Sequence, residues 1–406
     1  MNLVVVLEHR FNSTSDGRVW TQTMFPYSFW KRYLEVFEHV RVVARVREVP
    51  SVPSDWKCAD GEGVSFAAIP YYVGLWQYLQ RAHQVSRAAQ NAVGANDAVI
   101  LRVPSTIGAC VQPMLRKIGH PYAVEVVGDP YDVFAPGSVK HPLRPIMRWL
   151  FPRELQRDCA GAFAAAYVTE HALQRRYPPK LDAYVTHYSS VELPDVAFTS
   201  LPRIPRQDLS CFSLINVGTM DQFYKAQNVL IDAVAACVQE GLDLKLILVG
   251  DGKHRTELEV QAASLGFGKR VCFRGKVAAG EAVRAELDQA DLFVLPSYQE
   301  GLPRAMIEAM ARGLPCIGST VGGIPELLPS EDMVPPGDVA ALAQKIREVV
   351  TDPKRMASMS ARNLEKAQNY RDEFLQKRRL AFYRYVRETT QAWLLTQKNE
   401  EAVASR

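Results

Sequence analysis

No apolar run in the 406-residue chain approaches the roughly 18 to 20 residues that a membrane-spanning helix requires. The first ten residues, MNLVVVLEHR, carry no basic leader, and their five consecutive apolar residues are too few for a signal peptide. Cysteine is sparse. The seven present, at positions 58, 110, 159, 211, 237, 272 and 316, form no Cys-x-x-Cys pair, which argues against a disulfide framework or structural zinc and for a reducing compartment. An excess of charge of one sign is missing too: 48 Lys and Arg stand against 44 Asp and Glu, and a net charge of +4 demands no nucleic-acid partner. Internal repeats and low-complexity tracts are absent from the sequence. The expectation is a cytoplasmic protein, at most peripheral to the inner face of a membrane.

What is present is length and alternation. A chain of this size exceeds one ordinary core, so two domains of about 200 residues are expected. The first opens with a strand from Leu3 to Leu7, a polar loop from Glu8 to Gly17 and a helical stretch ending near Glu38. A strand from Val40 to Val46, an irregular Pro- and Gly-rich segment and a helix from Leu75 to Asn91 follow. Strand 98–103, helix 106–118 and strand 122–127 continue the alternation, and apolar runs 162–168 and 181–186 complete the sheet. Between Glu192 and Asp208 three prolines and little periodicity mark a linker. Strands 212–217, 244–249 and 271–273 then alternate with helices 227–240, 255–265 and 279–287, and helices 339–350 and 354–369 come later. This pattern predicts an α/β protein of two Rossmann-like, doubly wound domains, residues 1–200 and 209–371.

The chain is organised around Ala290 to Glu326, ADLFVLPSYQEGLPRAMIEAMARGLPCIGSTVGGIPE. Leu292 to Leu295 reads as a buried strand, the chain breaks at Pro296-Ser297, and a helix starts after Gly301 with Pro303 near its first position. The loop falls at the carboxyl end of the strand, where open α/β sheets bind ligands. The helix aims its free N–H groups and positive dipole end into the same crevice, which suits an anion. Glu300 in the loop and Glu308 on the helix are at most ~12 Å apart, about the length of a sugar, a diphosphate and a ribose in a row. Because carboxylates accept paired hydrogen bonds from vicinal hydroxyls, a glutamate at each end would hold a nucleotide sugar. The plainer reading makes both of them solvated surface acids.

This stretch closely resembles the signature of the group 1, family 4 glycosyltransferases. Its glutamates stand eight apart, followed by Ala-x-Gly-x-Pro and Gly-Gly-x-Pro-Glu, here Glu300 and Glu308, then Ala311-x-Gly313-x-Pro315, then Gly322-Gly323-x-Pro325-Glu326. The resemblance implies the GT-B fold, in which two Rossmann-like domains face each other across a cleft. The first would bind the acceptor and the second the donor, and the terminal helix 372–406 would pack back on the first. It further implies a retaining transfer from a UDP- or GDP-sugar to a hydroxyl of a glycan or lipid-linked glycan, as in bacterial surface polysaccharide synthesis. The sugar nucleotide is then a co-substrate and no cofactor or metal is expected; the sequence also lacks an Asp-x-Asp pair placed for magnesium. On this reading Glu300 holds the sugar hydroxyls and Glu308 the ribose. The N–H groups of Gly301, Leu302 and Arg304, without that of Pro303, face the diphosphate.

Three other turns of the second domain join the donor site. At Gly218-Thr219, after its first strand, glycine lets the backbone turn beneath a ligand, and Lys225 at the start of the next helix supplies a cation. An exposed lysine is the bland alternative. The resembling family has G-R-x…K-G here. Thr219 replaces the arginine and Ala226 the second glycine, so the lysine's role carries over and the arginine's does not. Gly250 and Asp251 belong to a V-G-x-G turn, and Gly275 to Val277 to the family's F-x-G-x-V strand end, whose backbone faces the base.

The first domain departs further. Val124 to Asp132 occupies the place of a strand that commonly ends in histidine, but Gly128 and Asp129 stand there. Asp129 is a candidate to orient or deprotonate the acceptor, with a turn-forming Asp-Pro as its rival. Gly17 and Arg18, in a loop that replaces a glycine-rich one, are candidates to line the cleft; His9 reads as an ordinary loop histidine. Lys140 to Arg157 has five Lys or Arg and one Glu interleaved with Trp, Met, Leu and Phe. That mixture suits an anionic membrane surface, or a solvated helix with its aromatic residues turned into the core. Two other functions stay open at this level: a nucleotide-sugar-binding module without turnover, and a sugar-nucleotide epimerase on the same fold.

Overall fold

The structure, a computed structural model, describes residues 1–22, 24–136, 138, 139, 141–204 and 211–404. Two β-sheets form, each wrapped by helices. The first contains β1 (Asn2–Ser13), β2 (Val19–Thr21), β3 (His39–Glu48), β4 (Lys57–Cys58), β5 (Val64–Ile69), β6 (Ala98–Val103), β7 (Ala123–Val126), β8 (Ala164–Tyr167) and β9 (Tyr184–His187). Between them lie α1 (Tyr27–Leu34), α2 (Gly74–Asn91), α3 (Thr106–Lys117), α4 (Pro130–Val133), α5 (Arg144–Gly161) and α6 (Ala172–Arg176). The parallel strands run β5-β3-β1-β6-β7-β8-β9, and β2 and β4 add an antiparallel edge to the far end of β1.

The second sheet contains β10 (Phe212–Val217), β11 (Leu244–Val249), β12 (Val271–Gly275), β13 (Leu292–Leu295), β14 (Cys316–Ser319) and β15 (Met333–Val334). Their order is β12-β11-β10-β13-β14-β15, all parallel. Helices α7 (Gln227–Gln239), α8 (Arg255–Ser264), α9 (Glu281–Asp288), α10 (Arg304–Ala311), α11 (Ile324–Leu327), α12 (Val339–Val350) and α13 (Pro353–Ala367) complete this half, and α14 (Asp372–Ala404) ends the chain. In each sheet the order reverses beside the first strand, the point where doubly wound folds open a crevice. Two such units make the GT-B architecture.

Burial on both faces explains why the strands read as unbroken apolar runs. Along β1, Leu3, Val5 and Leu7 enter one core while Val4 and Val6 enter another, all at most 2 % exposed. In β13, Phe293 and Leu295 face one side and Leu292 and Val294 the other. The first of these cores runs without a break from β1 through Val191, Leu193 and Ala197 to Ala311 and Leu314, so the halves share apolar contact.

Helix α14 lies on the first sheet, where Tyr383 stacks on Tyr33 with ring centroids 4.5 Å apart. Beneath them the carboxylate of Glu125 receives the hydroxyls of Tyr33, Tyr188 and Tyr383 at 2.9, 2.7 and 3.2 Å and pairs with Arg102. Burial pushes the Glu125 carboxyl up, but Arg102 and the tyrosine hydroxyls prevail and hold it below its usual range.

Several sequence expectations shift. Glu8 to Ser13 is strand, not loop, because β1 resumes pairing with β3 at Arg10 after an irregularity beyond Val6. The Pro- and Gly-rich segment before α2 contains β4 and β5, the latter pairing with β3 along its whole length. The last strand of this sheet is Tyr184–His187, shifted towards the carboxyl end. Residues 205–208 of the linker reading, residues 209–210 of the second domain, Lys140 of the basic segment and residues 405–406 of the terminal helix lie outside the described residues.

Candidate donor site between the two sheets

The loop after β13 brings the organising stretch to the carboxyl edge of the second sheet. Pro303 caps α10 in extended conformation, and no side chain caps the helix. The first-turn N–H groups are therefore open to an acceptor from outside.

Across the sheet, β10 delivers Gly218 and then a single 3-10 turn, Phe223–Lys225. The Lys225 side chain runs over Gly218, where an added Cβ would lie 3.0 Å from it. Its ammonium stands 2.6 Å from Glu300 Oε1, and the Ser297 hydroxyl donates to the same oxygen at 2.7 Å. At 7 % exposure the Glu300 side chain is no solvated surface acid. Ala226, which follows the lysine where the resembling family has glycine, has φ +53°, a left-handed backbone that glycine adopts more easily.

The turns at Gly250 and Gly275 lock beneath this site. Gly250 N–H donates to Gly275 C=O at 2.9 Å, and a Cβ on Gly250 would fall 1.9 Å from the Gly218 oxygen. Thr219, standing where the arginine would be, hydrogen-bonds Asp221 at 2.9 Å, and Asp251 uses its carboxylate on Gly252 N–H at 2.8 Å. Both side chains thus close the turn. The cation that does approach it is Arg255, the first residue of α8, with one nitrogen 3.2 Å from a Cβ built on Gly275. Val277 packs its side chain on the shared apolar core. Glu308 is half-buried on α10; burial raises its carboxyl above the usual range, against the opposing pull of Arg304 and Arg284.

The first sheet meets this site at its own carboxyl edge. A Cβ on Gly301 would lie 2.9 Å from the carbonyl oxygen of Val127, just beyond β7. The Ser138 hydroxyl donates to the Gln299 side chain at 2.9 Å, one residue before Glu300. Asp129 is 5 % exposed and caps α4, accepting from Tyr131 N–H at 2.9 Å, while Arg176 and the Tyr177 hydroxyl bind its carboxylate as well. The geometry gives it the turn-forming role rather than that of an open base. His9 packs on the Phe11 and Phe25 rings, and burial together with Arg10 and Arg45 lowers its pKa to about 4. Arg18 donates to Cys58, within the antiparallel edge.

On the same side of the first sheet α5 leaves Ile146, Trp149 and Leu150 59 %, 58 % and 47 % exposed, so these residues are not turned into the core. Arg148 and Arg176 stack on Tyr131, and Arg153 stacks on Trp149. No group of His, Cys, Asp and Glu among the described residues is arranged to hold a metal ion.

Sequence reasoning brought Lys225, Glu300, Gly218, Gly250, Gly275 and the α10 N-terminus to this crevice, and the structure places them together. It missed Ser297, Arg255 and the contact between Ser138 and Gln299. Ser297 had one signal: it lies three residues before Glu300 in a loop that must turn back on itself.

Residues 211–352 match the sequence model described as "Glycosyl transferases group 1". The chain is 29 % identical to protein CapJ of Staphylococcus aureus over 367 residues, 86 % of this chain and 89 % of CapJ. N-acetyl-alpha-D-glucosaminyl L-malate synthase of Bacillus anthracis is 34 % identical over 155 residues, 37 % of this chain and 39 % of that protein. Among solved structures, WaaG, a glycosyltransferase involved in lipopolysaccharide biosynthesis, superposes with a TM-score of 0.63 at 16 % identity, covering 95 % of this chain and 99 % of WaaG. HepE of Anabaena in complex with UDP-glucose gives 0.62 at 17 %, covering 96 % and 100 %.

Proposed function

We propose that this chain, a group 1 glycosyltransferase by its residues 211–352 and a GT-B protein by its fold, moves a sugar from a nucleoside-diphosphate sugar to a hydroxyl of a glycan or lipid-linked glycan. The observation that carries this is the meeting of Lys225, Glu300 and the uncapped N-terminus of α10 at the carboxyl ends of β10 and β13. As the glycosidic bond breaks, negative charge grows on the diphosphate, and the Lys225 ammonium with the helix N–H groups stabilises it. When a donor enters, Lys225 turns from Glu300 to the phosphate and leaves the carboxylate free for the sugar hydroxyls. Glu308 takes the ribose. Retention of configuration and independence of metal belong to this proposal through the family resemblance.

A nucleotide-sugar donor is supported by the relatives' own ligands, since HepE was solved with UDP-glucose. Polysaccharide synthesis as the setting is supported by WcaL of Escherichia coli, whose name gives colanic acid biosynthesis, and by WaaG, involved in lipopolysaccharide biosynthesis. On the acceptor side, the exposed apolar residues of α5 beside Arg148 and Arg153 support peripheral contact with an anionic membrane from the cytoplasmic face. No helix among the described residues is long and apolar enough to cross one.

The test is release of nucleoside diphosphate from UDP-, GDP- and ADP-sugars by the intact protein and by Glu300→Ala and Lys225→Ala. Release from one donor, lost in both variants, is the expected result. Donor binding without release would favour a binding module, the reading that Thr219 supports by closing its turn without supplying a cation.

A further inference from the structure

Glu326, the last residue of the organising stretch, reaches across the crevice. It belongs to the four-residue α11, yet its carboxylate accepts hydrogen bonds from three backbone N–H groups of the first half: Glu170 at 2.6 Å, His171 at 2.9 Å and Ala172 at 2.6 Å. These are the entering N–H groups of α6, whose own cap residue, His171, supplies no side-chain hydrogen bond. The Thr169 hydroxyl accepts from Leu173 N–H at 3.0 Å, and the three N–H groups before it are completed by a charge from the other half. Hydrogen bonds to a carboxylate are among the stronger ones. No cation pairs with Glu326 among the described residues, so these amides are what hold it. Around it stand Glu170, His171 and His187, with Arg378 against His187 and Tyr370 behind.

The turn just before Glu326 backs the Glu300 loop. Gly323 N–H donates to Gly301 C=O at 2.7 Å, and a Cβ on Gly322 would fall 2.0 Å from the backbone carbonyl oxygen of Glu300, so the Gly322-Gly323 backbone lies directly against the backbone of Glu300 and Gly301. On its other side, Thr169 would stand 3.0 Å from a Cβ on Gly323, and Val127 packs on Gly301. One carboxylate and two glycine-permitted contacts therefore tie the sugar-holding loop to the first half.

We propose that Glu326 is a positioning residue for transfer: by completing α6 from across the crevice it holds the Gly322-Gly323 turn on Glu300 and couples closure of the halves to the placement of Glu300 on the donor sugar. The proposal rests on the glycosyltransferase reading for its kinetic arm only. Separation of the halves breaks three charge-assisted hydrogen bonds and frees the turn that backs Glu300. Closing restores both together.

The experiment compares the intact protein with Glu326→Ala and Glu326→Gln, the latter keeping volume and one accepting oxygen. Four quantities are measured: the melting temperature, UDP and GDP affinity, the ratio of sugar transfer to donor hydrolysis, and the radius of gyration in solution with and without nucleotide. Expected for Glu326→Ala are nucleotide affinity within about twofold, kcat lower by about tenfold or more, a raised share of hydrolysis and a larger radius of gyration, with Glu326→Gln intermediate. An unchanged kcat and radius would overturn the proposal, even with a lowered melting temperature, because a merely structural role moves only the last. Loss of nucleotide binding in parallel with kcat would also overturn it, since the defect would then lie in the donor pocket. If the intact protein turns over no sugar nucleotide, the function reading fails while the radius still decides the clasp.

Discussion

The Lys225 ammonium lies 2.6 Å from the Glu300 carboxylate, joining the turn after β10 to the loop after β13. Residues 75 apart in sequence thus neutralise each other at the spot where a diphosphate and a sugar would meet. Removing either strips the developing charge or the sugar of its partner, so Lys225→Ala and Glu300→Ala each lower nucleotide release on the order of 100- to 1,000-fold. Because the two side chains act as one unit, the double variant loses about as much as the worse single one, not the product. Steady-state kinetics on the four proteins checks this.

Thr219 occupies the family's arginine position but satisfies its hydroxyl on Asp221 at 2.9 Å. Thr219→Arg restores a cation to the turn and tightens nucleoside-diphosphate binding by about fivefold, roughly 1 kcal/mol. Calorimetric titration with UDP and GDP reads the change; equal or weaker binding would show that the turn faces away from the phosphates.

Two glycines near the crevice differ in what they tolerate. Gly250→Ala forces a Cβ to within 1.9 Å of the Gly218 oxygen at φ +136° and costs about 2 kcal/mol or more. Gly128→Ala meets nothing closer than Pro104 at 3.8 Å and changes stability by less than about 0.5 kcal/mol. Denaturant titration separates them.

Asp158, on the buried face of α5, has its carboxyl pushed up to about 7, by burial first and then by Glu154. In the unfolded chain it returns to about 3.9. Between these values the folded protein keeps a proton that the unfolded chain releases, so this group's contribution to stability falls as pH rises from about 4 to 7 and levels off above. Asp158→Asn removes the loss: the variant gains on the order of 1 kcal/mol or more at pH 8 and little at pH 4, measured as melting temperature against pH.

Vesicles test the exposed face of α5. The protein sediments with vesicles containing anionic phospholipid and not with purely zwitterionic ones. Each of Arg148→Glu and Trp149→Ala weakens the partition by about fivefold, near 1 kcal/mol per group. Partition that ignores both changes would place the contact elsewhere.

The sequence alone carried the period of the strands, the two-sheet α/β plan and the turns that meet at the carboxyl edge of the second sheet. These rest on local signals: strands buried on both faces are apolar throughout, and glycines mark turns such as Gly250, where a Cβ would strike the Gly218 oxygen. Strand β5 escaped notice because only its two ends, Val64 and Ile69, are buried, and Ser65 breaks the apolar run between them. Asp129 read as a candidate base because nothing nearby announces Arg176 and Tyr177, 47 and 48 residues on, which bind it. The aromatic residues of α5 could not be assigned to core or solvent, since a helix with Trp149 flanked by arginines serves either until its neighbours are known. Glu326 was legible only as the last residue of the Gly-Gly-x-Pro-Glu motif, because the helix it caps lies in the other half of the chain. Period and turn chemistry are written within a few residues. Which charge meets which across a crevice depends on how two sheets come together, and only the tertiary structure decides that.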